Sequence, residues 1–281
     1  MGKKLLLPTD FSISSWNAIQ YAIKLYEDED CDFYILNTYL KDAQGLDSAT
    51  LLDPDDAFNN LSEKNSLEGL GDIITRLTFE NDNPRHRFYV LSRPALFLEA
   101  VKEVVENQEI DIIVMGAKGM ANGGEGKYGK NTLSVIANIR KCPVLVVPKD
   151  VAFDRPEEIV LATNFCSRYS IAEIRHLVEI AKISKASIQI LSLEDTSSLN
   201  AKQKENKALL CSYLIDVDHS FNVLHNVKMA DALSCFVEIR HSNMISYIDK
   251  KFSIWERLGI KTPALGRLGY FKNVPVLALH G

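Results

Sequence analysis

Residues 111 to 148 read DIIVMGAKGMANGGEGKYGKNTLSVIANIRKCPVLVVP, and the fold follows from how this stretch is punctuated. Ile112-Ile113-Val114-Met115 is an unbroken apolar run, the pattern of a strand buried on both faces of a parallel sheet. It stops at Gly116-Ala117-Lys118-Gly119, and a loop with Gly123, Gly124, Gly126 and Gly129 follows. Thr132 through Arg140 places Leu133, Ile136 and Ile139 at the spacing of a helix face. Val144-Leu145-Val146-Val147 is a second apolar strand, entered through Pro143 and closed by Pro148. Strand, glycine loop, helix, strand is the layout of a phosphate cradle: glycines let the backbone approach an anion, and the opening N–H groups of the helix supply donors. The competing reading is a flexible glycine connection with no ligand.

Composition bounds the answer. A chain of 281 residues is long enough for two domains, each with its own core. Apolar residues at 46% and charged residues at 25% are those of a globular protein. A net charge of −5 leaves no basic excess for a general nucleic-acid binder, yet allows one small anion in a local cradle. No stretch reaches the roughly 18 apolar residues of a membrane span, and Met1-Gly2-Lys3-Lys4 runs straight into a strand. The expectation is a cytoplasmic protein without a membrane or nucleic-acid partner. The cysteines at 31, 142, 166, 211 and 235 lack metal or disulfide spacing and read as core thiols in a reducing compartment.

Outward from the central stretch, Lys4-Leu5-Leu6-Leu7-Pro8-Thr9-Asp10-Phe11-Ser12 gives a buried strand ended by Pro8, with Asp10 or Ser12 placed to cap the next helix. Asp32 to Tyr39 is the second strand, and its end, with Thr38, would lie beside Asp10 in a doubly wound sheet. Lys41 to Asn60 reads as a surface loop or lid with a solvated acidic run. A helix over Ser62–Phe79, a strand over Arg87–Leu91 and a helix over Leu96–Asn107 lead back to Asp111.

Gly116, Gly119 and Gly129 fit G-x2-G-x9-G, which is neither the Walker loop nor the dinucleotide fingerprint. The spacing resembles the nucleotide-binding motif of the universal stress protein family, and Leu-Pro-Thr-Asp-Phe-Ser near the amino terminus is a second point of resemblance. Lys130 stands where the family usually has Ser or Thr after the third glycine, with Thr132 two residues on as an alternative hydroxyl. The resemblance implies ATP or a related adenine nucleotide as ligand, with Mg²⁺ optional. It sets Asp10 near the adenine end and the backbone at Thr38 reading the base. Phosphates would rest on the backbone around Gly116, Gly119 and Gly129 to Asn131, with Lys118, Lys130 and Thr132 adding side-chain donors. Pro8, Thr9 and Met115 complete the expected contact set.

Beyond the Asp150–Glu158 linker the first half repeats. Glu158 to Ser167 answers Lys4 to Ser12, with Asn164 in the place of Asp10; a helix through Ile174 and Ala181 and a strand over Ser187–Leu193 follow. Met244 to Lys251 takes the place of Ile112 to Gly119, and Ile248 falls where Gly116 stood, so the cradle is lost. Phe252, Ile254, Trp255 and Leu258 suggest an apolar helix face, either core or docking surface, and Phe271 to Leu279 the last strand.

The expected architecture is α/β: a nucleotide-binding domain over residues 1–150 and a degenerate copy without a phosphate loop over 156–281. Each is a doubly wound five-stranded parallel sheet of order 3-2-1-4-5, and the two terminal strands pair antiparallel to form an intrachain pseudo-dimer. Without that pairing both would be exposed apolar edges. Homodimers through other faces stay open. The six histidines are scattered without ligand spacing, and no G-x-S-x-G elbow occurs, so no catalytic group is assigned. The leading expectation is a stress-response regulatory protein that binds ATP in its first domain. The alternatives are a slow ATPase, an adenine-binding transferase, or a nucleotide-independent scaffold that recruits a protein partner.

Overall fold

The computed structural model describes residues 2–40, 61–118, 128–195, 197–250, 265 and 268–280. The expected loop over 41–60, most of the glycine run including Gly119, and the Phe252–Leu258 group lie outside the described residues. The first half runs β1 (Lys3–Pro8), α1 (Ile13–Leu25), β2 (Cys31–Thr38), α2 (Leu61–Glu80), β3 (His86–Arg93), α3 (Phe97–Asn107), β4 (Ile112–Gly116), α4 (Lys130–Asn138) and β5 (Val144–Val147). The second runs β6 (Glu158–Ala162), α5 (Ile171–Ser184), β7 (Ser187–Ser192), α6 (Ala201–Tyr213), β8 (His219–Val223), α7 (Met229–Arg240), β9 (Met244–Asp249) and β10 (Val276–His280). Among the described residues no helix is long and apolar enough to cross a membrane.

All ten strands join one sheet in the order β3-β2-β1-β4-β5-β10-β9-β6-β7-β8. Each half is parallel with order 3-2-1-4-5, and the halves meet where β5 and β10 pair antiparallel. Leu5, Leu6 and Leu7 show why the strands read as continuous apolar runs. All three are fully buried, and alternate side chains enter opposite layers. Leu5 and Leu7 join the core under α1, α2, α5 and α6, while Leu6 joins the one under α3, α4 and α7.

At the seam Val144 faces Ala278, Leu145 faces Leu277 and Val146 faces Val276. Ile113 pairs with Val144 in one half as Ile245 pairs with Val276 in the other, which makes Leu145 and Leu277 counterparts. A pseudo-twofold axis therefore passes between them, and both are fully buried. The same registers put Tyr247 at the place of Met115 and Ile248 at that of Gly116.

Polar contacts lock the seam on both faces. Lys3 of β1 reaches Glu179 of α5 at 2.9 Å. Arg140, just past α4, donates to the Asp249 carboxylate at 2.7 Å, to its carbonyl oxygen at 2.6 Å and to His280 Nδ1 at 3.0 Å. Burial first, then the Arg140 guanidinium and His176, hold the His280 imidazole down to about 3, so it stays neutral. The linker is fastened to α1: Asn17 Nδ2 donates to the carbonyls of Pro148 and Val151, both at 2.9 Å, and Tyr21 packs edge-on against Phe153.

Several expectations shift. Helix α4 spans Lys130–Asn138 instead of Thr132–Arg140, because Gly129 is its N-cap and Ile139 already turns extended. Strand β10 begins at Val276, after Pro275, and not at Phe271. Between residues 194 and 243, where the sequence pattern yields no element, the chain forms α6, β8 and α7. Of the five cysteines Cys31 and Cys142 are buried, their thiols pushed up to about 12 mainly by burial, whereas Cys166 and Cys235 are exposed and are not core thiols.

Truncating Leu145 to Ala should cost about 2–5 kcal/mol in urea unfolding, the range for a fully buried leucine whose site cannot collapse. The depressed His280 predicts acid sensitivity. Its neutral form is favoured by folding, so its contribution is complete above about pH 6.5 and is lost as pH falls toward about 3. Over that window wild type should lose more stability than the His280→Asn variant in parallel denaturation series.

Candidate functional site

The carboxyl ends of β1 and β4 diverge at the point where strand order reverses, the usual place for a ligand in a doubly wound sheet. A cavity of about 200 Å³ opens there. It brings together Pro8, Thr9, Asp10, Thr38, Met115, Gly116, Lys118, Asn131 and Thr132 from the expected set. Gly129 and Lys130 stand beside it as the N-cap and the exposed first residue of α4, and Gly119 lies outside the described residues.

One wall is a hydroxyl cluster at the start of α1. Ser12 is the N-cap, its Oγ accepting from Ser15 N at 3.2 Å, so the capping role falls to Ser12 and not to Asp10. Asp10 Oδ1 instead accepts from Ser12 N at 3.2 Å and sets the turn. Thr9 Oγ1 and Ser15 Oγ share a hydrogen bond of 3.0 Å, and Asn37 Nδ2 donates to the Thr9 carbonyl at 2.8 Å. Ser12, Ser15, Asn37 and Phe97 line the cavity but were not among the expected contacts. Asn37 had a signal, since it interrupts the apolar run of β2 just before Thr38; Phe97 had none.

The opposite wall is the start of α4. Gly129 N donates to the Ala117 carbonyl at 2.8 Å, and the first bond of the helix runs from Leu133 N to the Gly129 carbonyl at 3.0 Å. Gly129 offers no side-chain cap, so Lys130, Asn131 and Thr132 start the helix with N–H groups that have no intrahelical acceptor. Together with the helix dipole this makes an anion-binding end. Thr132 is 2% exposed, and its Oγ1 donates to the Gly116 carbonyl at 3.0 Å, tying α4 to β4. Tyr128, the residue before the N-cap, is buried and rests on the second half. Its ring lies 5.0 Å from that of Tyr270, its hydroxyl accepts from Phe271 N at 3.5 Å, and burial pushes that hydroxyl well above the usual phenol range.

The two described glycines of the motif do different work. A Cβ on Gly116 would lie 2.4 Å from Ser14 Oγ and 3.0 Å from the Ser14 carbonyl oxygen, so β4 meets α1 only because no side chain stands there. Among the described residues a Cβ on Gly129 would come no nearer than 3.4 Å to a neighbouring atom, an ordinary contact, and its φ of −65° suits any residue. The fold itself does not require Gly129 to be glycine. What its bareness leaves open is the approach to the first turn of α4.

Residues 1–148 match the universal stress protein family, and the chain belongs to that family. Solved structures share the fold along its whole length. A universal stress protein from Archaeoglobus fulgidus is 15% identical, with 99% of this chain and 98% of that one covered and a TM-score of 0.70. A candidate universal stress protein from Pseudomonas aeruginosa is 13% identical, covering 99% and 93%, with a TM-score of 0.61. At such identities the likeness is one of fold. No curated protein matches the sequence.

Gly116→Ala should therefore destabilise the protein by about 1–3 kcal/mol through overpacking against Ser14, whereas Gly129→Ala should stay within about 0.5 kcal/mol of wild type. Urea unfolding of both variants tests the contrast. Equal losses would mean that the two glycines are not distinguished by packing.

Proposed function

We propose that the protein is a stress-response regulator that binds ATP, or a closely related adenine nucleotide, in its first half. In this reading residues 1–150 form the nucleotide-binding domain and residues 156–281 a degenerate copy that binds no nucleotide. The observation that carries the proposal is the cavity between β1 and β4. Nine of the twelve residues expected at the ligand line it, and the uncapped first turn of α4 opens beside it. A bare Gly129 and N–H groups without an intrahelical acceptor are what close approach of a phosphate chain requires. The adenine end would lie toward Asp10, Thr38 and Met115, and the phosphates over Lys130, Asn131 and Thr132, with the Lys118 and Lys130 ammonium groups adding charge. Because Thr132 Oγ1 gives its proton to Gly116, the residue acts on phosphate through its N–H; its hydroxyl fastens the helix. Mg²⁺, if bound, would be carried by the phosphates.

The arrangement supports binding more than turnover, since among the described residues no side chain is posed to activate a water at the cavity. Isothermal calorimetry with ATP tests the reading. Gly129→Val should abolish binding while the protein stays folded. Lys130→Ala should weaken it at least tenfold, the effect of removing a charge-assisted contact worth about 1.5–3 kcal/mol. Unchanged affinity in the Gly129→Val variant would show that ATP does not use this helix.

A further inference from the structure

The second half keeps a cavity at the place that corresponds to the first-half site, and it is larger, about 450 Å³. Thr163, Asn164, Leu193, Glu194, Ile248 and Lys250 line it. Pro8 pairs with Leu36 in the first half as Ala162 pairs with Leu191 in the second, so Thr163 and Asn164 correspond to Thr9 and Asp10, and Leu193 to Thr38. The end of the pocket that corresponds to base and ribose is thus retained in outline, with Asn164 Oδ1 setting its turn through Cys166 N at 3.1 Å as Asp10 does through Ser12 N.

The other end has been rebuilt against phosphate. Ile248 replaces Gly116; its branched side chain packs against the core under α1, α2, α5 and α6 and also borders the cavity. Lys250 stands where Lys118 stands in the first half, but it is ion-paired with Glu173 and also donates to the Arg168 carbonyl at 3.1 Å. Glu173 is 1% exposed, and its second oxygen accepts from Ser170 N at 2.9 Å within the capping box of α5. Among the described residues the lysine at this end is therefore neutralised by a buried carboxylate, while Glu194, next to Leu193, puts a negative charge beside the base end, where Gln203 Nε2 donates to it at 2.8 Å. A phosphate would meet an ammonium already spent on Glu173; a neutral ligand needs no such charge and would meet apolar side chains with polar edges.

We propose that this second pocket binds a phosphate-free, nucleoside-sized molecule, a ligand class distinct from the nucleotide of the first half. Adenosine is the probe. Equilibrium dialysis of the full chain with labelled adenosine, in the presence of saturating Mg-ATP, should give one adenosine bound per chain. Leu193→Arg, which fills the pocket, should reduce that binding at least tenfold and leave ATP binding unchanged. Glu173→Gln keeps the capping geometry and releases Lys250, so the affinity for AMP relative to adenosine at this pocket should rise at least tenfold. The proposal is overturned if no saturable adenosine binding survives ATP, or if Leu193→Arg and Glu173→Gln both leave the adenosine and AMP affinities unaltered. Should ATP itself fail to bind while adenosine still does so in a Leu193-dependent way, the first-half reading falls and this one stands.

Discussion

The antiparallel pairing of β5 with β10 is the constraint on which the rest depends. Each half ends its sheet with a strand of wholly buried apolar residues, and such an edge left open would template association with any other strand. Joining the two edges removes the hazard and fixes the register, because Leu145 must meet its own counterpart Leu277 for both cores to close. The linker then needs only to run back along α1, where Asn17 and Tyr21 hold it. Both terminal edges of the joined sheet, β3 and β8, are the strands with the least burial.

The seam also couples the second half to the first-half cavity. Helix α4, whose first turn faces the cavity, is gripped by the second half at both ends. Tyr128 anchors its start on Tyr270 and Phe271, and Arg140 anchors its end on Asp249 and His280. The donors that suit an anion are thus held by contacts from the other half of the chain. Asp249 and Lys250 sit where the first half has Ala117 and Lys118; Asp249 receives Arg140 across the seam, and Lys250 pairs with Glu173 beside the second cavity.

Much of this was legible in the sequence because it rests on rules with short reach. Buried parallel strands show as apolar runs, and Leu5–Leu7, Ile112–Met115 and Val144–Val147 match β1, β4 and β5 to within two residues. The loss of Gly116 to Ile248 followed from aligning the repeat. Helix α6 and strand β8 were not legible: α6 is largely polar and buries only Gln203, Asn206 and Leu210, and β8 buries none of its residues, so neither carries a hydrophobic period. The packing of Gly116 against Ser14 joins residues far apart in the chain, and the tie from Thr132 to the Gly116 carbonyl joins residues 16 positions apart; no local pattern announces such contacts. Ser15 joined the site only once Ser12 was fixed as the cap of α1.

The central claim is that one sheet carries two unlike sites and that nucleotide occupies only the first. Native mass spectrometry of the intact chain titrated with ATP tests it most directly. The account predicts a single mass increment that saturates at one ATP per chain. Saturation at two, or no increment at all, would contradict it.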